Sequence, residues 1–189
     1  MEIGKTLHVH GRKAWRSWLS RNHKREKEIW LIYYRKSSKK PRIPYNDAVE
    51  EALCFGWIDS TVKKVDEEKF AQRFTPRKPK SQLSQMNRER MRGLITEGKM
   101  TKAGLDAVSH AFHPSEDPSS FKIPKRILNE IKKNPDAWKH FQELPKHYVR
   151  IRIAYIKSQG RHSEDAFKRS LGNFIRITAK GKRFGMVRD

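Results

Sequence analysis

Between Tyr45 and Asn87 the spacing of apolar positions changes twice. Ala48, Ala52 and Phe55 recur at i, i+4 and i+7, with Val49 and Leu53 beside them, which predicts an amphipathic helix. Gly56 ends it, as a residue free to take positive φ often does. Alternation then takes over. Thr61–Val65 and Phe70–Phe74 flank the polar turn Asp66-Glu67-Glu68-Lys69, so a hairpin is expected. Phe70, Gln72 and Phe74 share one face of its second strand, and Ala71 and Arg73 the other. Pro76-Arg77-Lys78-Pro79 reads as loop, because each proline restricts itself and the residue before it. Ser81 or Ser84 is the expected cap of the helix that follows.

Upstream, residues 1–10 read as a strand or loose arm, and Lys13–Asn22 as a short helix with Ala14, Trp15, Trp18 and Leu19 on one side. Glu28–Arg35 is an unbroken apolar and aromatic run, suited to a central strand covered on both faces. Lys36–Pro44 is a basic loop, and Trp57–Val65 and Phe70–Thr75 bring the strands to three. Downstream, Leu83, Met86, Met91, Leu94 and Ile95 line a helix ending at Gly98, with Arg88 and Arg92 on its outer face. Thr101 caps a second helix bearing Leu105, Val108 and Ala111. His113–Lys122 is a Ser/Pro-rich linker. Pro124 and Pro135 suit first helical turns, Asn134 is a natural cap, and Trp138 and Phe141 give that short helix a buried side. In HYVRIRIAYI two periods compete; Pro145 at its head favours helix, as does the resemblance described below. Ser163 caps a last helix with Glu164 and Asp165 at its positive end and Phe167, Leu171, Phe174 and Ile175 along one side. Residues 179–189 read as a mobile basic tail. The expected fold is α+β: a core over residues 1–113 with a small, mainly antiparallel sheet packed by helices, then a helical extension over 114–189.

Charge changes this picture most. The 189 residues carry a net charge of +22, which favours polyanions such as nucleic acid, anionic lipid or acidic proteins. The charge is uneven: residues 1–44 hold 13 Lys/Arg against 3 Asp/Glu, while residues 45–75 hold 4 against 7. The central segment is thus mildly acidic inside a basic shell. A single cysteine, Cys54, excludes an intrachain disulfide and Cys-rich zinc sites. With no secretory-type apolar run near the start and no window long enough to span a bilayer, the expectation is a cytoplasmic protein without a membrane span.

The segment ALCFGWIDS, followed by FTPRKPKS and a Ser-x-x-Asn helix start, resembles the bacterial YdeI/OmpD-associated family, also called bacteriocin-protection proteins. The resemblance runs from about Trp15 to Lys182. It implies a part in envelope or bacteriocin stress tolerance. One departure stands out: Leu83 occupies the place of a Trp in the family pattern, so an aromatic wall is missing from any pocket there.

Seven residues form the candidate site: Trp57, Asp59, Arg73, Arg77, Ser81, Ser84 and Asn87, at strand ends, in the following loop and at a helix start. A helix N-terminus with Arg77 and Lys78 just ahead of it suits a phosphate or carboxylate. The competing reading is structural: Asp59 pairs with Arg73 or Arg77 to fix the hairpin, and the serines are plain caps. Cys54, between Leu53 and Phe55 on an apolar side, reads as buried and inert rather than nucleophilic. His8 with His10, and His110 with His113, lack a third ligand at standard spacing, so no metal is assigned. Asp47, Glu50 and Glu51 read as a solvated helix face. Trp15-Arg16-Ser17-Trp18 and Tyr33-Tyr34-Arg35-Lys36 interleave aromatic and basic residues, which suits a nucleic-acid backbone without base readout. Phosphate-loop, Ser-His-Asp and dinucleotide signatures are absent, and neither a catalytic residue nor a cofactor is assigned. Two readings compete: a non-catalytic module engaging an anionic partner, which includes a nucleic-acid backbone or a protein, and a pocket near Asp59, Arg77 and Asn87 for a small anionic ligand or substrate.

Overall fold

The computed structural model describes residues 2–185 and Val187. The fold is α+β, with a four-stranded sheet and eight α-helices among the described residues. The chain divides into two compact units, Met1–Leu83 with Arg90–Pro114, and Ser84–Glu89 with Ser115–Asp189.

The first unit contains β1 (Thr6–Leu7), α1 (Arg12–Asn22), β2 (Ile29–Tyr34), α2 (Tyr45–Cys54), β3 (Trp57–Lys64), β4 (Lys69–Pro76), most of α3 (Gln85–Thr96) and α4 (Lys102–Asp106). The sheet order is β1-β2-β4-β3, so β2 and β4 are interior strands. The pairs β2–β4 and β3–β4 are antiparallel. The fourth strand, β1, runs parallel to β2 over two residues, too short to leave an alternating signature in the sequence. The hairpin is longer than its alternation suggested, and Pro76 closes β4 rather than opening the loop. The end of a strand is a place proline is tolerated. Ile29 faces Phe74, Leu31 faces Gln72 and Tyr33 faces Phe70, so one sheet face gathers the large apolar side chains. Trp15 and Leu19 of α1 and Ala48 and Ala52 of α2 join the same core cluster, and Trp15 Nε1 donates to the Ala48 carbonyl at 3.0 Å. Gly56 has φ +75°, and a Cβ there would stand 2.8 Å from the Ala107 Cβ. The same close approach continues at Gly104, where a Cβ would lie 2.4 Å from the Cys54 carbonyl oxygen. Thr101 caps α4 as expected, but the helix stops at Asp106, leaving Val108 and Ala111 in turns.

The carboxylates of α2 are not a solvated face. Glu51 is only 2% exposed and accepts from Arg12 Nε at 2.8 Å and from Arg16 Nη1 at 2.7 Å. Arg12 also reaches Glu50 at 2.9 Å and Asp47 at 3.3 Å. Two arginines of the basic N-terminal segment thus answer the acidic cluster of α2 inside the unit. Arg92 lies over the Phe112 ring, 5.6 Å from its centroid, instead of on an outer face.

The second unit is helical: α5 (Lys125–Lys132), α6 (Pro135–Glu143), α7 (Lys146–Gln159) and α8 (Glu164–Thr178), with Ser84 and the first turn of α3 as far as Glu89. Arg88 there pairs with Glu116 at 3.1 Å. The Asn134 side chain accepts from Ala137 N at 2.9 Å and the Ser163 hydroxyl from Ala166 N at 3.0 Å, so both caps form. HYVRIRIAYI is helical, and Ile153 and Ile156 meet Phe167, Leu171 and Phe174 in one core. Met186, Arg188 and Asp189 of the expected tail lie outside the described residues. Before them the segment is anchored: Phe184 N donates to the Tyr148 hydroxyl at 3.1 Å, and the Arg152 guanidinium lies 3.8 Å from the Phe184 ring centroid. No described helix is long and apolar enough to cross a membrane.

Candidate functional site

The candidate residues divide between the two units. Trp57, Asp59, Arg73, Arg77 and Ser81 belong to the first, Ser84 and Asn87 to the second. Ser84 is the cap of α3: its hydroxyl accepts from Asn87 N at 3.2 Å. Ser81 does not cap; its hydroxyl is buried without a hydrogen-bond partner.

Within the first unit two candidates are drawn elsewhere. Trp57 is a core residue, 1% exposed, edge-on to Trp18, with Nε1 donating to the His23 carbonyl at 3.2 Å. Arg73 sits on the sheet face opposite Phe74 and pairs with Glu28, Nε at 2.8 Å and Nη2 at 2.5 Å. The expected ion pair of Asp59 with Arg73 or Arg77 does not form.

Asp59 instead accepts a hydrogen bond from the Tyr45 hydroxyl at 2.8 Å. The fold makes this meeting local. Asp59 is opposite Phe74 in the β3–β4 register, which turns its side chain toward the face that α2 covers, and Tyr45 is the first residue of α2. A register shift between Asp59 and Val62 interrupts the pairing just beyond it, and the ladder resumes at Val62 opposite Gln72. Burial pushes the Tyr45 phenol up to about 12, reinforced by the hydrogen bond and the charge of Asp59 and opposed by Arg90. Tyr33, 2% exposed on the same sheet face, has a buried hydroxyl without a partner. Burial raises its pKa first, then the nearby charges of Tyr45 and Asp59, while Arg42 opposes them. Neither tyrosine was singled out for this role from the sequence; the signal available was Tyr33 in the alternation of β2 and Tyr45 at a helix start.

Arg77 follows Pro76 immediately. Its backbone N–H donates to the Gly56 carbonyl at 2.9 Å, which holds the loop against the α2–β3 turn. The side chain is 7% exposed. Nη2 donates to the Gln82 carbonyl at 2.8 Å, but Nε and Nη1 are buried with no partner. Burial lowers the Arg77 pKa, and the charge of Asp59 only partly offsets this. A guanidinium taken out of water without a bonded anion is costly. The Asp59–Tyr45 pair lies near enough for the Asp59 charge to act on Arg77.

Cys54 is fully buried, and burial first, then the Glu51 charge, push its thiol up to about 11, so the nucleophilic thiolate is scarce at neutral pH. No group of three His, Cys, Asp or Glu among the described residues is placed to hold a metal ion.

Residues 7–107 match the family described as Domain of unknown function (DUF8412), and the chain belongs to it. The matched span takes in α1, the sheet, the Arg77 loop and α4. No curated protein and no solved structure matches the chain significantly.

Proposed function

We propose that the first unit is a non-catalytic binding module for a small anion, a phosphate or carboxylate group seated on Arg77 and oriented by the Asp59–Tyr45 pair. One observation carries this reading: Arg77 is 7% exposed, with two N–H edges of its guanidinium buried and unmet and no carboxylate bonded to it among the described residues. The basic surface concentrates anions near the site, with Arg77 as the fixed anchor. A part in envelope or bacteriocin stress tolerance belongs to the proposal through the resemblance of ALCFGWIDS and FTPRKPKS to YdeI/OmpD-associated proteins, and a cytoplasmic location through the lack of a secretory-type apolar run near the start.

The test is a thermal-shift titration with inorganic phosphate and a panel of small carboxylates and phosphates, run on wild type and Arg77→Met. A ligand at 100 times its Kd stabilises the wild type by about 2.7 kcal/mol, and the shift disappears in Arg77→Met. Equal shifts in both proteins, or none in either, refute the assignment.

A further inference from the structure

The second unit holds a cleft of about 370 Å³ between α7 and α8, near the lower end of the range for small-molecule pockets. Arg152, Tyr155 and Gln159 contribute one wall and Arg169, Ser170 and Asn173 the other, with Phe184 at the rim. Among the described residues no carboxylate lines it. Arg152 is 8% exposed, its Nε is buried without a partner, and burial lowers its pKa against the weak opposing pull of Tyr148 and Tyr155. Its guanidinium lies 3.8 Å from the Phe184 ring centroid and 5.2 Å from that of Tyr155, so the aromatic rings fix its plane. The Ser170 hydroxyl is a second buried group in the same cleft with no partner. Arg169 is exposed beside it, one residue away on α8.

We infer that this cleft binds a phosphate monoester carrying a flat apolar body. Two guanidiniums and a hydroxyl make three donor groups around a space without negative charge. A monoester brings about −1.5 to −2 charge and three acceptor oxygens, whereas a carboxylate brings one charge and two oxygens. Tyr155, 48% exposed, offers a ring face next to the charged end, which suits an aryl or base-like body. The site lies within the second unit and does not depend on the Arg77 reading.

Isothermal titration of the full chain with phenyl phosphate, inorganic phosphate and diphenyl phosphate tests the chemistry. Phenyl phosphate binds tightest, inorganic phosphate more weakly for want of the ring, and the diester weakest because it has one charge and two free oxygens. Arg152→Met weakens phenyl phosphate binding about 10- to 100-fold, the range for a charge-assisted hydrogen bond, while Arg77→Met leaves it unchanged. If Arg152→Met does not fold, the exposed Arg169→Gln decides, with a loss of about threefold or more expected. A diester, or a single-stranded oligonucleotide, binding as tightly as the monoester overturns the inference in favour of a backbone-binding surface. So does phenyl phosphate affinity that survives both cleft substitutions.

Discussion

Two arginine sites in the first unit are treated oppositely. Arg12 and Arg16 of α1 meet Glu51, with Glu50 and Asp47 as further partners of Arg12. Arg77 meets one backbone carbonyl and no carboxylate. Burial pulls all three guanidiniums down. At Arg12 and Arg16 the hydrogen bonds and charge of Glu51 overcome it and the net direction is up; at Arg77 burial wins. The same residue type therefore serves as fastener in one place and as an open charge in the other. What separates them is the supply of carboxylates together with burial: the Arg12 and Arg16 side chains are 28% and 36% exposed, whereas Arg77 is 7% exposed. A charge compensated within the fold is structural, and the uncompensated one at Arg77 is what the proposed anion site rests on.

The largest effect that probes this contrast is at Glu51. Glu51→Gln removes a carboxylate shared by two guanidiniums and leaves them partly buried. Breaking a buried pair from one side costs about 3–5 kcal/mol, and the partial exposure of both arginines puts the expectation near the lower figure, about 3 kcal/mol. The urea midpoint of unfolding measures it. An unchanged midpoint would mean that the two arginines hold nothing together and that the contrast with Arg77 is empty.

Local signals made much of the fold legible. Ala48, Ala52 and Gly56 marked α2 and its end, Phe70–Phe74 marked the hairpin, and Asn134 and Ser163 marked caps that form as read. What escaped was set by partners far along the chain. Nothing near Glu51 announces Arg12, 39 residues earlier, and nothing near Arg73 announces Glu28, 45 residues earlier. Two-residue β1 has no period to detect. Asp59 and Arg77 were named from sequence, but the Tyr45 hydroxyl that takes Asp59, and the absence of any carboxylate on Arg77, are properties of register and packing. Arg152 sits in HYVRIRIAYI two residues from Arg150, and only the closure of α7 on α8 marks it out.

A second effect sharpens the comparison from within the compensated region. Cys54 shares α2 with Glu51, and its thiol stands at about 11 against an ordinary 9.0. A thiol whose folded pKa is raised contributes its full stability below the unfolded value. That contribution is lost as pH rises from about 9 toward 11, because the unfolded chain ionises first. The loss by pH 11 is on the order of 2 kcal/mol, read from unfolding midpoints of wild type against Cys54→Ala across that window. In the native protein at pH 8 iodoacetamide labels Cys54 far more slowly than in urea. Rapid native labelling would mean that the thiol senses an unneutralised Arg16, contrary to the shared carboxylate at Glu51.

The smallest expected effect is the most discriminating. Arg77→Met loses the bond to the Gln82 carbonyl, worth about 1 kcal/mol, but also removes a buried charge that no carboxylate answers. These terms nearly cancel, so without ligand the variant unfolds within about 1 kcal/mol of wild type, on either side. Arg12→Met, by contrast, leaves Glu51 with one arginine fewer and destabilises by about 2 kcal/mol. Paired urea titrations of the two variants in phosphate-free buffer read the difference directly. A large loss in Arg77→Met would reveal Arg77 as a fastener after all, and its two unmet N–H edges would then need a partner supplied by the protein itself.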